Sequence, residues 1–367
     1  MNFDPATPYN NLSHLPPDFE ITSSKILIAS MAAGEALAEL NGMLIKRRNI
    51  ASSQDLLSPL LIPEAVSSSG IENIITTNDQ AYRAQVSGFS EQAPIAKEVL
   101  YYTAAMRRGF NRLTANNFLA TNDFLDMQAI LEPKKNGIRK NPGTQLSNPA
   151  TREVFYTPPV GEPLIRRLLA DFEKYFNAAS PPHEVFARMA LLHYQFEAIH
   201  PFLDGNGRTG RMLMPLYLIK QGKLSVPVLF ISSFILRNRS EYYRRLRRVT
   251  SHQEWEEWVL YILKATEQQA IYTSRVFKRV EVATLNVQST LSSEKPSMRS
   301  AELLDFLFSH VYFTEKMFEE ALNISYRTAL KYLLRLEELG IIGKSKEPGR
   351  NRNLYITPQY IKILKSV

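Results

Sequence analysis

The stretch His200-Pro201-Phe202-Leu203-Asp204-Gly205-Asn206-Gly207-Arg208-Thr209-Gly210-Arg211 decides the reading of this chain. An apolar helical pattern ends at Ile199, and another begins near Asn206 and runs to Lys220. Between them a short loop presents a histidine, an acid, an asparagine and two glycines. Gly205 and Gly207 allow a tight turn and a close approach of backbone to a ligand. The free N–H groups at the start of the second helix form an anion site. Arg208 and Arg211 are three residues apart and fall near one face of its first turn. Arginines there oppose the helix dipole, so stability alone does not explain them, whereas a bound polyphosphate would. Asp204 offers a hard oxygen ligand to Mg²⁺, or Mn²⁺ in its place. His200, with an ordinary pKa near 6.5, suits removal of a proton from an attacking hydroxyl. Together these residue types predict phosphoryl-type chemistry on a nucleotide.

Outward from this loop the pattern is predominantly helical. Helices are expected over residues 26–47, 63–75, 94–109, 121–130, 163–177, 182–199, 206–220, 240–249 and 253–282. In the first of these, Ile28, Met31, Ala32, Leu37, Leu40 and Leu44 form the expected apolar side. Residues 52–63 read as a proline-bounded apolar patch, and residues 1–20 as an arm that lies on the protein or stays loose. Residues 134–162 are dense in turn formers, with a short strand expected at 153–157 in a hairpin. The polar, serine-rich stretch 284–297 reads as a linker. After it come helices at 298–310, 314–322 and 325–339, then two short strands around a basic turn. That order is a winged helix-turn-helix, with Tyr326, Arg327, Lys331 and Arg335 on the polar side of its third helix and Lys344, Lys346, Arg350 and Arg352 in the wing. Acidic Glu337, Glu338 and Glu347 dilute the field, so DNA and a protein surface both stand as partners of this unit.

The chain has 367 residues, 44% hydrophobic and 22% charged, with a net charge of +8. That length suits two or three domains, and the charge favours an anionic partner. The absence of cysteine excludes a disulfide framework and a thiolate site. No basic-then-apolar leader opens the sequence, and no apolar run approaches the ~20 residues a membrane helix needs, so the expectation is a cytoplasmic protein without a membrane partner.

At all eight specified positions the quoted stretch resembles the Fic family motif, H-x-F-x-[DE]-G-N-G-R-x-x-R. The resemblance implies an all-helical core with a β-hairpin flap, and transfer of AMP from ATP to a Ser, Thr or Tyr hydroxyl of a target protein and of the enzyme itself. It implies His200 as general base, Asp204 as the Mg²⁺ ligand, and Phe202 pinning the loop. Gly205, Asn206 and Gly207 would contact phosphates, and Arg208 and Arg211 the outer phosphates. The segment with Val154, Phe155 and Tyr156 resembles the flap that orients the target. Tyr243 matches a tyrosine near the adenine. Gly207 stands where a phosphate-transferring subgroup has lysine. Ser68-Ser69-Gly70-Ile71-Glu72-Asn73 resembles the family's inhibitory motif; a Glu72 contact to Arg211 would deprive the γ-phosphate of its partner. In some relatives the braked form also removes AMP, and family members often form homodimers. The resulting division is 1–90 as an N-terminal helical region with the inhibitory helix near 63–75, 91–283 as the catalytic core, 284–297 as linker and 298–367 as the winged helix. The rival reading is a DNA-binding regulator whose nucleotide site only senses. A toxin-like role would use the same chemistry and is not separable in sequence.

Overall fold

The computed structural model describes residues 3–48, 53–87, 94–147, 151–294, 298, 300–346 and 353–364. It is mainly helical. Helices α7 (Val185–Ile199) and α8 (Asn206–Lys220) lie at its centre. Every residue of α7 except Arg188 is buried, as is all of α8 up to Leu218 apart from Gly207. A helix covered on all sides has no polar face, which explains the continuous apolar run of its sequence.

Around this pair pack α2 (Ser53–Ile71), α4 (Pro94–Asn116), α5 (Thr121–Leu131), α6 (Glu162–Asn177) and α11 (Trp255–Glu294). In this core Phe124 meets Phe172 and Phe176 edge to face, Phe196 meets Phe172 in the same way, and Phe172 and Phe176 stack, at centroid distances of 5.6 Å to 6.1 Å. Trp258 of α11 is fully buried and donates its indole N–H to Ala190 O at 2.8 Å, fastening α11 to α7.

Helix α1 (Ser24–Arg48) packs along α11. Lys25–Glu256, Lys278–Glu39 and Lys46–Glu281 pair at 3.1, 2.7 and 2.8 Å, so the two helices run in the same direction. Ile26, Ala33, Leu37, Leu40 and Leu44 face inward, while Ile28 and Met31 are exposed. The expected apolar side is therefore correct from Leu37 onward but rotated at the start. There the contact is made by small residues, and Gly34 lies flat on Phe186, where an added Cβ would stand 3.3 Å from the ring.

Helix α2 corrects a second expectation. It is one helix running through Pro59 and Pro63 and ending at Ile71, rather than a patch followed by a helix over 63–75. Each proline removes a helix hydrogen bond, but burial of Leu60, Leu61, Ile62 and Ala65 outweighs that cost. Glu72 and Asn73 lie in the closing turn, with Asn73 in the left-handed conformation (φ 63°) that suits an asparagine after a helix.

A third correction concerns residues 284–297. The stretch is helical through Glu294, as the end of α11. Its hydroxyls bond back to carbonyls one turn earlier (Thr284 to Val280 O, Thr290 to Asn286 O, Ser292 to Gln288 O, at 2.7–3.0 Å), so the serine-rich run stays satisfied inside a helix. Val287 and Leu291 continue the buried side. Residues 295–297 lie outside the described residues.

The C-terminal unit holds α12 (Ala301–Ser309), β3 (Tyr312–Phe313), α13 (Glu315–Leu322), α14 (Tyr326–Glu338), β4 (Gly343–Lys346), β5 (Asn353–Ile356) and α15 (Pro358–Leu364). Ser300, Thr314 and Ser325 cap its first three helices through their side-chain oxygens. The strands form one antiparallel sheet in the order β3-β5-β4. Arg350 and Arg352, in the expected basic turn, fall outside the described residues, and Lys344 pairs with Glu337 at 2.7 Å. A helix absent from the expectations, α3 (Asn78–Ser87), docks on this unit: Tyr312 donates to Asp79 Oδ1 at 2.7 Å and Arg83 to Ser345 Oγ at 3.1 Å. No helix among the described residues is long and apolar enough to cross a membrane.

Candidate active site

The loop between α7 and α8 owes its shape to local chemistry. His200 closes α7 in the left-handed conformation (φ 47°), and Pro201 prevents the helix from continuing. Asn206 accepts from Phe202 N at 2.8 Å and donates to Phe202 O at 2.9 Å, tying the loop into a ring. Phe202 is fully buried against Phe196. Gly205 (φ 80°) makes the turn into α8, and Gly207 leaves room for what lies above it: an added Cβ there would be 2.8 Å from Arg211 Nη1 and closer still to the Glu72 carboxylate.

Above the loop is an open cavity of about 710 Å³. His200, Gly207 and Arg211 form its floor, Glu72 and Asn73 one wall, Tyr242 and Tyr243 another, and Phe155 and Tyr156 a third. The last two belong to the hairpin β1 (Leu146–Ser147) and β2 (Val154–Tyr156), an antiparallel pair as expected. Tyr156 donates to Ala198 O at 2.7 Å, anchoring the hairpin on α7, and Arg247 stands over the Phe155 ring at 5.2 Å. The N-terminal arm lies on the protein: Tyr9 N donates to Thr157 O at 2.9 Å and Thr157 Oγ1 to Pro5 O at 2.7 Å, at the base of the hairpin. Val154 is half-buried and is not on the cavity wall.

Arg211 is 1% exposed. Its Nε donates to Ser68 Oγ at 2.9 Å, and its Nη2 to Ser68 O at 3.0 Å and to Glu72 Oε1 at 2.7 Å. Burial works against its charge, and the adjacent Glu72 outweighs that, holding the guanidinium firmly protonated. Asn73 turns its side chain outward and accepts from Arg239 at 2.7 Å. Of the expected inhibitory motif, Ser68 and Glu72 thus meet Arg211, whereas Asn73 engages Arg239.

The His200 imidazole is lowered to about 4, first by burial and then by the charge of Arg139, with Glu72 opposing. It is neutral at pH 7 and able to accept a proton. Asp204 keeps 38% of its side chain exposed; Lys135 bonds its Oδ2 at 2.6 Å, and Gly205 N donates to Oδ1 at 2.8 Å. Burial raises its carboxyl, but those two bonds prevail and hold it below the usual range. Among the described residues no group of three or more His, Cys, Asp or Glu side chains could hold a metal. A single ionised, accessible carboxylate fits Mg²⁺, which commonly takes one or two protein carboxylates and completes its shell with phosphate oxygens and water.

Three expected phosphate contacts lie off the cavity wall. Arg208 is 2% exposed and off the cavity wall: Nη1 donates to Glu98 at 2.9 Å and Nη2 to Glu132, with Asp204 3.7 Å away. A buried guanidinium needs carboxylates, and these two lie on α4 and just after α5. Asn206 spends its amide on Phe202, as described. Neither Gly205 nor Asn206 reaches the cavity, so the glycine at the floor is Gly207.

Sequence reasoning passed over three residues here. Glu197, one turn before His200, lines the cavity; burial pushes its carboxyl up to about 7 against the pull of Arg211, and its Oε1 has no hydrogen-bond partner. Glu64 of α2 is likewise pushed up to about 7 by burial, while bonding Ser232 N at 3.1 Å and Ser232 Oγ. Arg139 is buried under the His200 turn. Glu197 sits in an apolar run where its burial is foreseeable, whereas Glu64 and Arg139 carry no local signal.

Comparison with known proteins adds to this geometry. Residues 27–111 match the model of the Fic/DOC family N-terminal region, and residues 113–218 that of the Fic/DOC family. Protein adenylyltransferase fic-1 of Caenorhabditis briggsae is 29% identical over 147 residues, 39% of this chain and 26% of the relative. Protein adenylyltransferase Fic of Drosophila ananassae is 35% identical over 112 residues, 30% of this chain and 21% of the relative. The chain thus spans about a quarter of the curated relatives it matches. A Fic family protein of Desulfovibrio desulfuricans G20 has the same fold over 93% of this chain and 98% of its own, at a TM-score of 0.54 and 19% identity.

Proposed function

Because this chain carries a Fic/DOC family domain behind the family's N-terminal region, we propose that it is a protein adenylyltransferase, moving AMP from Mg²⁺-ATP to a Ser, Thr or Tyr hydroxyl. The observation that carries the reading is the neutral His200 imidazole at the foot of a cavity that also holds the start of α8 and Arg211. The target hydroxyl oxygen attacks the α-phosphorus while His200 accepts its proton. The bond from the α-phosphorus to the bridging oxygen breaks, pyrophosphate leaves, and AMP remains on the target oxygen. Asp204 is the residue that would hold the divalent ion, whose contribution is to neutralise phosphate charge. The backbone at Gly207 and the guanidinium of Arg211 receive phosphate, and Tyr243 walls the base. An extended target segment adds to the hairpin edge at Phe155, a mode that reads backbone more than side chain.

On this reading the Glu72–Arg211 contact is a brake. Arg211 gives its Nε and Nη2 to Ser68 and Glu72, so a γ-phosphate must displace a carboxylate to reach that edge of the guanidinium. A water activated by Glu72 would let the braked form remove AMP. The C-terminal unit is read as a winged helix, supported by three capped helices followed by the β4–β5 ribbon.

The test is incubation of the full chain, Glu72→Gly and His200→Ala with labelled ATP and lysate, followed by mass identification of the modified side chain. Label on a hydroxyl in Glu72→Gly and none in His200→Ala supports the reading; no label in either removes it.

A further inference from the structure

Arg139 is a large side chain, 2% exposed, in the loop that precedes the hairpin. Its Nε donates to His200 O at 2.7 Å, and its Nη2 to Ile199 O at 3.3 Å and to Pro159 O. Its own backbone N–H donates to Pro201 O at 2.9 Å, beside the bridge between Ile138 and Phe202. All four acceptors are neutral carbonyls, and among the described residues no carboxylate lies within ion-pair distance of its guanidinium. Burying an unpaired guanidinium is costly, and burial does pull its pKa down. A neutral side chain could cap these carbonyls more cheaply. The charge therefore needs a reason of its own, and its nearest functional neighbour is His200.

We propose that Arg139 is a positioning residue for the transfer reaction, with two separable effects. Its fork fastens the left-handed turn at His200 to the foot of the hairpin at Pro159, so that base and target platform keep a fixed spacing. Its charge disfavours the imidazolium and keeps His200 available as a base in mildly acidic solution. The groups facing the imidazole are consistent with this. Glu72 from the end of α2, Asp204 from the loop and the Glu197 carbonyl from α7 all favour its protonation, while burial and Arg139 oppose it. Glu197 and Arg211 share the cavity. Arg139 is thus the charged residue that counterbalances the carboxylates around the base.

The inference rests on the adenylyltransferase reading, so the experiment is run in the Glu72→Gly background. Auto-modification is followed from pH 4.5 to 8 in three proteins: the parent Glu72→Gly, the parent with Arg139→Met, and the parent with Arg139→Lys. The parent should show a flat rate above about pH 5. With Met the rate should fall, and an acid limb should enter the range, its midpoint raised by about one pH unit or more, the shift expected for loss of a nearby charge. With Lys the limb should stay where the parent has it, while the rate drops about tenfold or more because the fork is gone. A slower Met variant with an unmoved limb, or a Lys variant with a moved limb or an undiminished rate, overturns the inference. If the Met variant does not fold, the Lys variant decides by those same two readouts. A parent that incorporates no label fails the functional reading instead.

Discussion

Replacing Glu72 by glycine removes one contact and leaves the rest of the cavity in place. Glu72 Oε1 accepts from Arg211 Nη2 at 2.7 Å, and a hydrogen bond between charged groups contributes about 1.5–3 kcal/mol. The glutamate side chain is 34% exposed, so solvent screening confines the value to the lower part, about 1.5–2 kcal/mol. A γ-phosphate approaching Arg211 is relieved of that cost. At 1.4 kcal/mol per tenfold, productive ATP binding and transfer should rise about 10–30-fold. Glu72 lies in the turn after α2, where glycine carries no helix penalty, and Arg211 keeps both bonds to Ser68. Glu72→Gln, which retains a weaker neutral contact, should gain less. The assay is initial incorporation of label from ATP at sub-saturating nucleotide, with folding checked by circular dichroism. Equal rates for the wild type and both variants would refute the argument, because an Arg211 engaged as described could not then be limiting.

Four other outcomes follow from the geometry. His200→Ala should bind ATP as before and lose about 10²–10⁴-fold in transfer, measured by single turnover beside equilibrium nucleotide binding. Glu64 has a folded-state carboxyl raised from 4.5 to about 7, so its contribution to stability is complete below 4.5 and lost as pH rises through 7. Urea unfolding between those limits should show stability falling by at most about 1.4 kcal/mol per pH unit for this group, and Glu64→Gln should flatten the slope. Asn206→Ala strands the N–H and C=O of buried Phe202 and should cost about 2–5 kcal/mol in the same assay. If the C-terminal unit grips duplex DNA through three phosphates, anisotropy titrations of the full chain should weaken about 40-fold between about 50 and 200 mM salt; salt-independent or absent binding favours a protein partner.

The loop between α7 and α8 was legible in sequence because its parts are local: a helix end, two glycines, an asparagine and an acid within twelve residues. The hairpin and the three capped C-terminal helices were legible for the same reason. The roles that went astray depend on distant partners. Arg208 reads as a phosphate ligand until Glu98 and Glu132 appear beside it, from 110 and 76 residues away. Arg139 lies in a stretch that reads only as turns, and its importance comes from burial. Helix α2 was misplaced because two prolines outweigh everything in a local reading, whereas in the fold Leu60, Leu61 and Ile62 decide. The end of α11 was mistaken for a linker because hydroxyls that bond within a helix look, in sequence, like hydroxyls that need water.

That last helix has a mechanical consequence. At 1.5 Å per residue its 40 residues make an unbroken shaft about 60 Å long, gripped by α1 and α7 along one part and by α12 and α15 toward the other. A shaft of that kind carries torque. Whatever seizes the C-terminal unit pulls on the same rod that braces the central helices α7 and α8, and the two ends can swivel independently only if the rod snaps and α3 lets go. In solution the molecule should tumble as one rigid object, and a proline placed at Ala283 should leave the docking of α2 and α3 on the C-terminal unit to hold its two ends together.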